Sequence, residues 1–224
     1  MIVREKEPIS LIGGASVSPA ILRAALRLAP VVVAADGGAN TAVEAGLVPR
    51  AVIGDFDSIT AQTRARLPED VLHHFEDQET TDFEKCLTQV TAPLLIGLGF
   101  VGDRLDHQMA ACTALVRHAA QRCILLGEAD LMFLCPPSLV LPLAEGCRVS
   151  LFPMGAVEGA SDGLRWPIGG LNLAPDGRIA TSNLSVGPVS LAVTAPKMLV
   201  ILPAETLDIV VPALRATPAT WTTA

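Results

Sequence analysis

Short apolar runs alternating with helical patterns over roughly the first 125 residues predict an α/β domain, with a mostly parallel sheet flanked by helices. After about residue 130, glycine and proline punctuate short apolar runs and helical periodicity fades, which predicts a C-terminal antiparallel β-sandwich domain. A third observation places chemistry in the first domain. Aspartates stand where strands hand over to helices: Asp36-Gly37-Gly38 follows Val31–Ala35, and Gly54-Asp55-Phe56-Asp57-Ser58 follows Ala51-Val52-Ile53. In an open α/β sheet such positions share one crevice at the carboxyl ends of the strands.

The first domain is assigned to residues 1–128 and the second to 129–224. Ile9–Ile12 reads as a buried strand ending at Gly13-Gly14. Ser18-Pro19 starts a helix, with Ser at the N-cap and Pro at the first helical position, and Leu22, Ala25, Leu26 and Ala29 supply its apolar face. Val31–Ala35 is a strand, Ala39–Ala45 a short helix closed by Gly46, Ala51–Ile53 a strand and Thr60–Leu67 a helix. Val71–Phe75 is a further strand. Thr81-Asp82-Phe83-Glu84 has capping-box spacing, with Phe83, Leu87 and Val90 on one helix face. Leu94–Leu98 is a strand, and Leu105, Met109, Cys112, Val116 and Ala119 recur at helical spacing before Cys123–Leu126. In the second domain the expected strands are Leu131–Cys135, Leu139–Leu143, Arg148–Phe152, Leu164–Trp166, Ile179–Asn183, Val189–Val193 and Met198–Leu202. Pro175-Asp176-Gly177 is a turn signal.

Composition narrows the function classes. Half of the 224 residues are hydrophobic, net charge is −7, and Lys plus Arg total only 16. With no basic run or stripe, nucleic acid is not an expected partner. The first residues carry Arg4, Glu5, Lys6 and Glu7 rather than a signal peptide, and no apolar run approaches the ~20 residues of a membrane span. Five cysteines without C-x-x-C spacing read as buried free thiols in a reducing, cytoplasmic setting.

Asp36, Asp55, Asp57, Asp82 and Asp106 offer only oxygen ligands, which favours a hard cation such as magnesium over zinc. If Asp55 and Asp57 lie on an extended segment, alternate residues point the same way. Each carboxylate also has a structural explanation. Asp82 and Asp106 sit in first helical turns, where a carboxylate complements the dipole, and Asp36 before Gly-Gly suits a turn. Gly97–His107 lies between strand and helix, where glycine N–H groups can approach an anion; Arg104 would clamp phosphate. Gly13-Gly14 is a weaker loop of the same kind, and His107 reads as a packing or helix-start residue. Gln78 is suited to a ligand hydrogen bond and Thr81 to a helix cap or a phosphate contact, while Lys85, one turn into its helix, reads as solvated. Trp166 is either core or a platform for a cationic aromatic ligand. Ser182 and Asn183 could be simple turn residues, and Trp221 belongs to a Thr-rich tail that is disordered or locally packed.

Taken together, Asp36-Gly37-Gly38-Ala39-Asn40, Gly54-Asp55-Phe56-Asp57-Ser58, Asp77-Gln78-Glu79-Thr80-Thr81-Asp82-Phe83-Glu84-Lys85, Gly102-Asp103-Arg104-Leu105-Asp106-His107, Gly163-Leu164-Arg165-Trp166 and Thr181-Ser182-Asn183 resemble the thiamine pyrophosphokinase family, in the family's order. The resemblance implies an ATP-handling α/β domain, a thiamine-binding β-sandwich, and a homodimer with active sites shared between subunits. It implies pyrophosphoryl transfer from ATP to the hydroxyethyl oxygen of thiamine, with AMP released. Asp55, Asp57 and Asp82 would then be magnesium and catalytic residues together with Arg104. Asp36, Gly37, Ser58, Thr81, Lys85 and Asp106 would complete the ATP-phosphate set. Gln78 would contact thiamine, joined by Trp166, Ser182 and Asn183 of the second domain. Glu79, Asp103 and the stretch Thr194–Leu199 depart from the family pattern. Two rivals are an Asp-x-Asp phosphatase using Asp55 and Asp57, and a non-catalytic nucleotide- or thiamine-binding module.

Overall fold

The computed structural model describes residues 1–76 and 79–222. The chain divides into two compact units, Met1–Ala114 with Leu125–Glu128, and Leu115–Ile124 with Ala129–Ala224. In the first unit, β1 (Val3–Arg4) comes before β2 (Ile9–Ile12), whose residues are all buried. Helix α1 (Pro19–Leu28) begins as its sequence dictates: the Ser18 hydroxyl accepts the Ile21 N–H at 3.3 Å, and Leu22 and Ala25 are buried. Then come β3 (Val31–Ala35), α2 (Gly38–Glu44), β4 (Ala51–Gly54), α3 (Ala61–Arg64) and β5 (Leu72–His74). Helix α4 (Asp82–Gln89) leads into β6 (Val90–Thr91), which pairs with β1. Strand β7 (Leu95–Leu98) follows, then helix α5 (Leu105–Arg117), whose last residues count with the second unit, and the buried strand β8 (Cys123–Leu126), whose first residues do.

Parallel pairing runs in the order β7-β2-β3-β4-β5, with Ile12 opposite both Leu98 and Ala34, and Ala35 opposite Ile53. The strands are continuous apolar runs because both faces of such a sheet are covered. This register brings the residues after β2, β3, β4 and β7 to one sheet edge. Helix α5 differs from its expected apolar face. Leu105 and Met109 are exposed, and the buried side is Ala111, Cys112, Ala114 and Leu115.

The second unit is antiparallel. It contains β9 (Asp130–Leu134), β10 (Ser138–Leu141), β11 (Arg148–Pro153), β12 (Gly159–Leu164), β13 (Ala180–Val193), β14 (Met198–Pro203) and α6 (Leu207–Ala216). Strand β11 lies between β14 and the first part of β13, and β14 continues to β9. The second part of β13 lies between β10 and β12. The two expected strands Ile179–Asn183 and Val189–Val193 are thus halves of one long strand serving two sets of partners. The expected strand Leu164–Trp166 ends instead at Leu164, and its body is Gly159–Leu164, a polar stretch with no apolar run to signal it. Pro175-Asp176-Gly177 is a turn, closed by the Gly177 N–H to the Ala174 carbonyl at 3.0 Å.

Helix α6 was not expected. Its buried residues Leu207, Val210, Val211 and Leu214 have helical spacing, but Pro212 interrupts the pattern. The cysteines are free thiols, four of them buried and Cys147 half-buried. Trp221 does not pack within its tail: its indole N–H donates to the carbonyl of Cys135, far back in the chain, at 2.9 Å. No helix among the described residues is long and apolar enough to cross a membrane.

Candidate active site

A cleft of about 640 Å³ opens at the carboxyl edge of the parallel sheet. Its first wall is the β3–α2 turn. Asp36 takes a left-handed backbone, φ 42°, while its N–H donates to the Ile53 carbonyl at 2.9 Å and its carbonyl accepts from Ala39. Two glycines are sterically required around it. A Cβ on Gly38 would lie 2.0 Å from the Ile12 carbonyl oxygen, and a Cβ on Gly54 would lie 2.7 Å from Asp36 Cβ. The sequence Asp-Gly-Gly is therefore a means of pressing α2 onto β2 and sinking Asp36 against the end of β4.

The second wall is the loop after β4, and here the extended-segment expectation fails. Phe56 is left-handed, φ 67°, so Asp55 and Asp57 converge through a turn and not through strand alternation. A bulky residue at positive φ is strained, and packing must hold it. Phe56 packs against the cluster of Ala34, Ala39, Val43, Val52 and Leu67. The His74 ring lies 5.4 Å from it, and the Arg64 guanidinium 5.2 Å from its centre. His74 Nε2 also lies 3.1 Å from the Asp55 carbonyl oxygen. Asn40 ties the loop to α2: its amide donates to the Ser58 carbonyl at 2.9 Å and its Oδ1 accepts from Thr60 N–H at 3.1 Å. Ser58 Oγ donates to Asp57 at 2.7 Å. The role of Asn40 is not legible in the sequence, because its two bonds span loops and leave no local signal.

The third wall is the start of α4. Thr81 caps the helix, its hydroxyl accepting the Glu84 N–H at 3.2 Å. Asp82 pairs with Lys85 at 3.0 Å. Lys85 is only 6% exposed, so the expectation of a solvated lysine is wrong: the helix turns it into the cleft, and Asp82 provides the countercharge that makes burial tolerable. The fourth wall is the loop from Gly99 to Arg104. Asp103 accepts the Ser16 N–H at 3.0 Å, and the Phe83 and Phe100 rings meet at 4.5 Å. Arg104 lines the cleft while making a two-pronged pair with Asp106 at 2.6 and 3.2 Å, both side chains well exposed. The pairing raises the arginine pKa and lowers that of the carboxylate.

Carboxylate oxygens of Asp36, Asp55 and Asp57 lie within 4.8 Å of one another. At an effective dielectric of ~20, two unit charges at that distance of 4.8 Å repel by about 3 kcal/mol. Burial raises the Asp36 pKa; hydrogen bonds involving Ser58 and Gly37 oppose this, and Asp82 and Asp57 add to it. Asp36 Oδ1 is buried without a hydrogen-bond partner. A hard divalent cation fits this set: it supplies the missing partner and relieves the repulsion, and all donors are oxygens. Asp82 lines the same cleft but faces Lys85. Of the expected phosphate residues, Gly37, Ser58, Thr81 and Lys85 also line it.

Residues 22–126 match the family model of the thiamin pyrophosphokinase catalytic domain. "Thiamine pyrophosphokinase 1" of Oryza sativa subsp. japonica is 29% identical over 186 residues, 68% of this chain and 70% of the relative. The protein of the same name from Arabidopsis thaliana is 29% identical over 184 residues, 67% and 69% of the two chains. The chain is similar to thiamine pyrophosphokinases in its catalytic-domain pattern and across about two thirds of its length. Two solved structures share its fold. Thiamin pyrophosphokinase from Candida albicans has a TM-score of 0.75 at 14% identity, covering 90% of this chain and 92% of that one. The Geobacillus thermodenitrificans thiamin pyrophosphokinase has a TM-score of 0.74 at 21% identity, covering 90% and 99%.

The likeness to thiamine pyrophosphokinases directs attention to the second unit. Gln78 lies outside the described residues. Trp166 is 56% exposed just beyond β12, so it is not core. The Arg165 guanidinium sits 5.3 Å from its ring centre. Ser182 is exposed at φ 60°, inside a bulge of β13 where Thr181 and Ser182 oppose the single Ser150; Ser182 N–H donates to Ser150 Oγ at 3.0 Å. Asn183, expected among the thiamine contacts, is buried instead and its amide faces the Trp166 backbone.

Proposed function

We propose that this chain is a magnesium-dependent thiamine pyrophosphokinase that moves the terminal diphosphoryl group of ATP onto the hydroxyethyl oxygen of thiamine, giving thiamine diphosphate and AMP. The observation that carries the reading is the convergence of Asp36, Asp55 and Asp57 in a cleft large enough for a small-molecule ligand. In this reading residues 1–128 handle ATP, and residues 129–224 are a β-sandwich for thiamine and dimerisation. Trp166 and Ser182 are supplied from the partner subunit of a cytoplasmic homodimer.

Asp36, Asp55 and Asp57 would hold magnesium, with Asp82 at the edge of the set. Bound there, the ion withdraws charge from the phosphates. Arg104, released from Asp106 by a stronger anion, holds phosphate oxygens, and Lys85 adds a second cation from the cleft wall. The thiamine oxygen forms a bond to the β-phosphorus as the bond from that phosphorus to the α-phosphate oxygen breaks. The hydroxyl proton leaves to a carboxylate of the cluster. The walls contribute alignment, since in-line attack demands fixed positions for both reactants. The acidic cleft also favours a cationic thiazolium. The phosphatase alternative is less favoured: Asp55 follows the fourth strand of the chain rather than the first.

Purified protein incubated with ATP, magnesium and thiamine is expected to form AMP and thiamine diphosphate in equal amounts, and chelation is expected to stop both. Thiamine-independent phosphate release, or a phosphorylated Asp55, would overturn the assignment in favour of hydrolysis.

A further inference from the structure

Two motifs far apart in sequence meet around one buried amide. Asn183 is 3% exposed. Its Oδ1 accepts the Trp166 N–H at 3.1 Å and the Leu184 N–H at 2.9 Å, and its Nδ2 donates to the Trp166 carbonyl at 2.7 Å. Both backbone polar groups of Trp166 are thus held by one side chain from the neighbouring strand. The Arg165 N–H adds a bond to the Leu184 carbonyl at 2.8 Å. Trp166 needs such a holder. It lies past the last paired residue of β12, Leu164, opposite Ser185, and more than half of its surface is exposed. The indole has neither a ladder nor a core to fix its direction.

The bulge in β13 explains how Asn183 reaches inward. An extra residue between the pairs Val149–Asn183 and Leu151–Ala180 shifts the strand's alternation. Ser182, left-handed, faces outward, and Asn183 turns in. A three-bond amide with almost no exposed surface is not available to a ligand.

We infer that Asn183 is a positioning residue that acts on thiamine through Trp166 and not by touching it. The inference rests on the proposed role of Trp166 in thiamine binding. It separates the Thr181-Ser182-Asn183 motif into an exposed serine that can meet a substrate and a buried asparagine that aims the aromatic platform.

The test is a double-mutant cycle read in steady-state kinetics. Asn183→Ala is expected to raise the thiamine KM about tenfold, leaving kcat and the ATP KM within about twofold, as the loss of two hydrogen bonds at the platform implies. In a Trp166→Ala background, Asn183→Ala is expected to add nothing to the thiamine KM. An additive further increase, or a fall in kcat and both KM values alike, would overturn the inference in favour of a general structural role. If Trp166→Ala itself leaves the thiamine KM unchanged, the thiamine-site reading fails first, and the inference with it. If Asn183→Ala does not fold, Asn183→Ser carries the same cycle, since its hydroxyl keeps a polar atom in the site but is too short to hold both backbone groups of Trp166. As an independent readout, in a Trp221→Phe background the Trp166 emission is expected to become more accessible to acrylamide in the Asn183 variants; unchanged quenching would count against positioning.

Discussion

Asp36 is held in a conformation and an environment that both oppose it: a left-handed backbone, burial, and two neighbouring carboxylates. Its raised pKa carries a definite sign. For a carboxyl whose folded value exceeds its unfolded one, the stabilising contribution is fully present below the unfolded pKa and is lost as pH rises through the folded value. Near neutral pH without metal, ionised Asp36 therefore costs stability. Asn mimics the protonated form and tolerates left-handed backbone. Asp36→Asn is expected to stabilise the metal-free protein at pH 7 by on the order of 1 kcal/mol, with the gain closing toward pH 3–4, while weakening magnesium binding by tenfold or more. Thermal melts across pH, together with calorimetric magnesium titration, check both halves. A variant that melts below the parent at pH 7 would show that the native carboxylate is already satisfied by protein groups.

At the scale of elements, the site depends on how closely the end of β4 approaches the β3–α2 turn. The obstacle a Gly54 side chain would meet is the Asp36 backbone and Cβ, at 3.1 and 2.7 Å, and neither is a flexible chain end. Gly54→Ala is expected to cost about 1–3 kcal/mol by overpacking and to push Asp36 away from Asp55, lowering activity more than stability. Adding Asp36→Gly removes the 2.7 Å contact and leaves the 3.1 Å backbone one, so the double variant is expected to recover much of its denaturant midpoint but not its turnover. Equal recovery of both would remove Asp36 from the metal set. The same elements show what a sequence makes legible. Buried parallel strands such as Ile9–Ile12 and Val31–Ala35 are continuous apolar runs, and α1 and α4 announce themselves through Ser18 and Thr81, because those signals are local. Phe56 at positive φ and the clamp on Trp166 depend on partners distant in the chain, so no short window of sequence contains them, whereas the countercharge of Lys85, Asp82, is local and only the cleft walls that bury the lysine are not. Helix α6 had a local signal, which Pro212 obscured.

For the whole molecule, the proposed division of labour between units predicts how ligands propagate order. Asp36, Asp55, Asp57, Asp82, Lys85 and Arg104 line the cleft of the first unit, whereas Trp166 and Ser182 belong to the second. A ligand protects amides chiefly where it touches or where it stabilises a low-energy opening. Magnesium with a non-hydrolysable ATP analogue is therefore expected to slow hydrogen exchange at residues 36–40, 55–58 and 99–104. These turns contain the positive-φ residues Asp36, Phe56, Gly99 and Gly102. Residues 159–166 and 180–193 should be unaffected at that stage and should gain protection only when thiamine is added. Mass-spectrometric exchange on the full chain, with nucleotide and thiamine added in either order, resolves the two steps. Nucleotide alone protecting β13 as strongly as the β4 loop would mean that the units respond as one cooperative body, and the separate assignment of ATP and thiamine to them would fall.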